Sequence, residues 1–118
     1  MTTLPFDPAG QLELRYRIDT FTIPEPARAE LEATMRRNMD FIRTLPGFRG
    51  HAAFEKRAGP GRFDLVTVAA WESAEAMERA SAAVRAHHQA IGLDLPALLA
   101  RWGVTMERGD FTAPARLQ

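Results

Sequence analysis

The sequence predicts an α+β domain of ferredoxin-like order, βαββαβ, with an antiparallel sheet carrying its helices on one face. Two observations carry this prediction. Apolar residues alternate with charged ones along Leu12 to Asp19, whereas two later stretches space theirs by three and four residues. Pro and Gly fall between these stretches, where elements of different period must meet.

Taken in order, Leu12, Leu14, Tyr16 and Ile18 form one row of a first strand and Glu13, Arg15, Arg17 and Asp19 the other. The apolar row is expected to face the helices. Pro24 and Pro26 suit a helix start, and Leu31, Met35, Asn38, Met39, Ile42 and Leu45 then mark the inner stripe of helix one, which closes at Leu45-Pro46-Gly47. Strands two and three, His51 to Arg57 and Phe63 to Trp71, form a hairpin about Ala58-Gly59-Pro60-Gly61. Ser73 caps helix two, whose apolar face runs through Met77, Ala80, Val84 and Ile91 to an end near Gly92. Asp94 caps a short turn through Leu98 and Leu99, and Trp102 to Phe111 reads as strand four. The chain is expected to form one domain over 1–118, with its core at about 12–112 and terminal extensions at 1–10 and 113–118.

Composition narrows the function classes. Lys plus Arg and Asp plus Glu are both 15, so there is no one-sided basic field of the kind nucleic acid attracts. No apolar run is long enough for a membrane span and no leader pattern opens the chain, which points to a cytoplasmic location. Cysteine is absent, which removes disulfides, thiolate ligands and a Cys nucleophile together. The three histidines, His51, His87 and His88, lack metal-ligand spacing, so no metal is expected. The helix-free face of the sheet is expected to carry Val66, Val68 and Ala70 together with the charged row of strand one. Packing against a second copy would bury the valines, which predicts a homodimer.

Leu45-Pro46-Gly47-Phe48-Arg49-Gly50, Val66 to Trp71 and Trp71-Glu72-Ser73-Ala74-Glu75-Ala76 resemble the antibiotic biosynthesis monooxygenase family. The resemblance spans roughly residues 12–112. It implies the dimeric α+β barrel superfamily, with a pocket between helices and sheet in each subunit and Trp71 in its wall. Haem-degrading relatives place a ligand histidine early in helix two, where this chain has Ser81. Cofactor-independent polyketide oxygenases place an Asn on the face of the tryptophan just before it, where this chain has Thr67. The reading this favours is a monooxygenase that uses no cofactor, acting on a small aromatic, quinol-like or polyketide substrate. The alternative is a non-catalytic dimeric barrel, a stress-response protein or one that shelters a small ligand.

Each candidate site residue has a functional and a structural reading. His87 and His88 straddle the inner edge of helix two. A neutral imidazole there is a general base for a phenolic proton, or else the pair is only favourable charge at a helix C-terminus. Asn38 interrupts the apolar stripe of helix one and either satisfies protein groups or clamps a substrate oxygen. Trp71, Thr67, Phe63 and Met35 are the expected substrate-contacting residues, Trp71 otherwise serving as core filler.

Overall fold

The computed structural model describes residues 6–118. Its four strands are β1 (Arg15–Thr22), β2 (Phe48–Glu55), β3 (Leu65–Trp71) and β4 (Thr105–Phe111). They pair antiparallel in the order β2-β3-β1-β4, the ferredoxin-like order, and within one chain the sheet is open. Three helices join them: α1 (Arg28–Ile42), α2 (Ala74–Ala90) and α3 (Leu95–Trp102). Among the described residues no helix is long and apolar enough to cross a membrane.

Local chemistry explains most boundaries. Pro26 sits in a short 3-10 turn, Glu25–Ala27, that leads into α1. The Ser73 hydroxyl accepts from the Ala76 amide at 3.1 Å, capping α2. Asp94 does the same for Ala97 at 3.1 Å, and this turn extends into a full helix that ends at left-handed Gly103. Trp102 therefore belongs to α3, where its indole donates to Glu30 at 3.0 Å, and β4 begins only at Thr105. Likewise β2 begins at Phe48 with a bulge before Gly50, and β3 begins at Leu65, leaving Phe63 in the loop beneath the Arg62 guanidinium.

One expectation is reversed. In β1 the apolar row turns away from the helices: Tyr16 and Ile18 lie beside Ala70 and Val68 on the helix-free face. Arg17 and Asp19, paired with Ala69 and Thr67, point to the helix side. The charged row is the one that continues into Phe21 and Ile23, and these two are buried with Leu31, Leu99 and Val104 against α1 and α3. Strand one also begins later than expected, leaving Leu12 exposed outside it. Tyr16 packs edge-on to Phe6 at 5.4 Å, and its buried hydroxyl has no hydrogen-bond partner among the described residues. Burial, with Asp7 and Glu13 nearby, pushes its pKa up.

A second cluster closes the other end of the helix face, where Trp71, Met77 and Ala80 pack with Ile42, Leu45 and Phe48. Phe48 meets the Trp71 ring edge-on at 5.5 Å. Gly47, at φ 85°, brings its backbone against α2: a Cβ there would lie 2.5 Å from that of Ala76. The Gly47 carbonyl also accepts from the Glu72 amide at 2.9 Å. The Leu45-Pro46-Gly47 turn and the Trp71-Glu72-Ser73 junction, distant in sequence, are thus one joint.

Candidate active site

Between these two apolar clusters, the helices and the sheet leave a cavity of about 820 Å³. The space exists because the sheet is low beneath it, with Thr67 and Ala69 at the centre of β3. Larger side chains stand to either side: Trp71 and Met77 at one end, Met35 and Leu99 towards the other. A cavity of this size accommodates a small polycyclic ligand.

Two polar residues from different helices meet in its wall. His88 Nε2 of α2 lies 2.7 Å from Asn38 Oδ1 of α1. An amide oxygen only accepts, so Nε2 carries the proton and donates it, leaving Nδ1 as the basic atom of the neutral ring. Burial, and then the adjacent His87, hold the His88 pKa below its ordinary value. The imidazole is therefore neutral near pH 7 and can receive a proton.

The two histidines separate cleanly. His87 does not line the cavity and instead stacks on Phe41 of α1 at 3.9 Å, with ring planes 6° apart. The third, His51 of β2, lies opposite Ala69 and lines the cavity floor. Burial and the Arg43 charge lower its pKa. Among the described residues no three His, Cys, Asp or Glu side chains gather as metal ligands. Of the other expected contacts, Trp71, Thr67 and Met35 line the cavity and Phe63 does not. Trp71 is buried yet forms part of this wall, so it serves both the apolar cluster and the cavity.

Sequence reasoning missed the floor beneath β1 and β4. Arg17 donates through Nε to Asp110 at 2.8 Å and through Nη1 to Ser81 Oγ at 3.0 Å. Arg108 grips Asp19 with two bonds, of 2.7 and 2.9 Å, and its pKa is raised first by that hydrogen bonding. All four charged residues line the cavity. The signal was present in the odd-numbered row of β1, which runs from Arg17 and Asp19 into buried Phe21 and Ile23.

Comparison with known proteins agrees with this architecture. The family model described as antibiotic biosynthesis monooxygenase matches residues 16–91. SnoaB, a cofactor-independent oxygenase from Streptomyces nogalater, is similar in two structures. One is 30% identical with a TM-score of 0.65, covering 86% of this chain and 93% of that one. The other is 26% identical with a TM-score of 0.62, covering 86% and 94%. The haem degrader MhuD from Mycobacterium tuberculosis, with two haems bound in its active site, shares the fold at 23% identity and a TM-score of 0.52, covering 83% of this chain and 93% of that one. No curated protein sequence matches the chain.

Proposed function

Because the chain belongs to the antibiotic biosynthesis monooxygenase family, we propose that it is a cofactor-independent monooxygenase acting on a small aromatic, quinol-like or polyketide substrate. The observation that carries this reading is the neutral His88, oriented by Asn38, in the wall of a cavity that Trp71 also lines. A ring CH or phenolic O–H presented to Nδ1 loses its proton there, and the electron-rich anion reduces dioxygen directly. For a ring methylene the balance closes without an added reductant. The carbanion passes an electron to dioxygen and recombines with it as a peroxide, and loss of water leaves a carbonyl. One oxygen atom enters the product, the other leaves as water, and the four electrons that reduce dioxygen all come from the substrate as its methylene becomes a carbonyl. The cavity supplies orientation by holding the ring system between helices and sheet.

A haem would meet different chemistry in this chain. The position at which the family resemblance puts a haem-ligating histidine is Ser81, and its hydroxyl is engaged by Arg17. The residues therefore fit an organic substrate better than a ligated iron.

Thr67 favours the second reading, a barrel that binds a small ligand without turnover, since it stands where the resemblance puts an asparagine in polyketide oxygenases. Oxygen uptake with anthrones and hydroquinones, measured without added metal, flavin or haem, decides between them. Uptake that is lost in His88→Ala supports the oxygenase. Tight binding without uptake supports the sheltering protein.

The working unit we propose is a homodimer, joined through the helix-free face. Ile18, Val66, Val68 and Ala52 share that face with Phe54, which is 52% exposed, and Phe111, which is 49% exposed. Burying two such aromatic rings against a second copy is the gain that supports this assembly.

A further inference from the structure

We infer that Arg17, Asp19, Arg108 and Asp110 form a subsite for the polar edge of the substrate, selecting a neutral aromatic that carries a hydroxyl beside a carbonyl. This deepens the oxygenase reading and rests on it only in calling the occupant a substrate. The four side chains come from adjacent strands in register, Arg17 opposite Asp110 and Asp19 opposite Arg108. On the face of the sheet this makes a checkerboard, with like charges on the diagonals and opposite charges side by side.

The pattern has two consequences for recognition. First, the quartet carries no net charge, so a carboxylate drawn to either guanidinium meets a neighbouring aspartate, and a cation meets a neighbouring arginine. Neutral ligands escape this penalty. Second, the internal bonds leave specific atoms unused. Arg17 spends Nε and Nη1, and Arg108 spends Nε and Nη2. Arg17 Nη2, Arg108 Nη1 and Asp110 Oδ2 make no hydrogen bond among the described residues. Two guanidinium nitrogens and one carboxylate oxygen thus remain wholly unbonded, which suits a carbonyl oxygen next to a phenolic hydroxyl. The apolar end of the cavity, at Trp71 and Met77, takes the hydrocarbon part of the ring system.

The pairs are already bonded to each other, so the subsite is held in place before any ligand arrives. A ligand with the matching edge keeps these polar atoms hydrogen-bonded when it displaces water. One without that edge strips water from them and returns nothing.

The test is anaerobic binding, read by quenching of tryptophan fluorescence, with dithranol, which has hydroxyls flanking its carbonyl, and anthrone, which has the carbonyl alone. Dithranol should bind at least about tenfold more tightly than anthrone to the native protein. In Arg17→Met/Asp110→Leu, which removes both members of one pair and leaves no lone charge, the preference should fall to about twofold or less. Asp110→Asn is the gentler variant, since Asp110 is half-exposed on an edge strand. It leaves the floor cationic and should raise affinity for an anthraquinone carboxylate by about tenfold. An equal affinity for dithranol and anthrone, a preference that survives Arg17→Met/Asp110→Leu, or failure of both ligands to bind would overturn the inference. Selective binding with no oxygen uptake on readmitting air would instead sink the oxygenase reading and leave the subsite standing.

Discussion

Replacing Gly47 by alanine tests whether the Pro-Gly-Phe turn and the strand-to-helix junction act as one joint. At φ 85° an L-residue is strained, costing about 1–2 kcal/mol. The added methyl would also stand 2.5 Å from the Ala76 Cβ, with Glu72 Cγ at 3.2 Å, and neither α2 nor the turn can move without disturbing the Trp71 cluster. Overpacking of that kind costs about 1–3 kcal/mol more. Gly92 provides the control, because its φ is 70° but no described residue lies within 4 Å of a Cβ built there. Gly92→Ala should therefore lose only the backbone part. Urea denaturation at one fixed protein concentration would measure both, since concentration itself shifts the apparent stability of a dimer. The expected result is a lower midpoint for Gly47→Ala than for Gly92→Ala by at least about 0.5 M, with similar slopes. Equal midpoints would refute the packing argument and reduce the motif to a turn preference.

Other expectations follow from the site and the surfaces. His88→Ala should lower oxygen uptake by about 10²-fold or more, whereas His87→Ala, whose ring stacks on Phe41 outside the cavity, should leave the rate within about twofold. The proposed mechanism needs His88 unprotonated, and burial lowers its pKa, so the acid limb of kcat/KM should lie below pH 6.5 and move up in variants that open the cavity to water. The same shift acts on stability: His51 and His88 hold protons less readily folded than unfolded, so their contribution is complete above about pH 6.5. It is lost as pH falls through their folded values, and a His51→Gln/His88→Gln variant should show a flatter decline in denaturation midpoint over that range. Phe54→Lys should halve the mass measured by light scattering, and an unchanged dimer mass would remove the helix-free face from the assembly.

The order of elements was legible because each carries its own period and its own stop signal. Ser73 and Asp94 marked the starts of α2 and α3, and Gly47 closed the approach to β2. Which side of β1 faces the helices was not legible from alternation alone, since period two defines two rows without saying where the helices lie. Phe21 and Ile23 would have decided it, but they follow the charged stretch. The Asn38 and His88 meeting was foreseen only as two residues on inner stripes, because nothing local records the spacing between two helices. The Arg17 and Arg108 ion pairs needed strand register, which joins residues far apart in sequence and is invisible to local reading.

The central position of β1, hydrogen-bonded on both edges, makes its eight residues answer to two demands at once. Even positions such as Tyr16 and Ile18 belong to the helix-free face, where the proposed dimer contact lies, and odd positions such as Arg17 and Asp19 to the cavity. A saturation mutagenesis profile along this strand should beat with a two-residue rhythm, its association and ligand phenotypes out of phase. A single-residue insertion would exchange the two identities over every position that follows it in the strand.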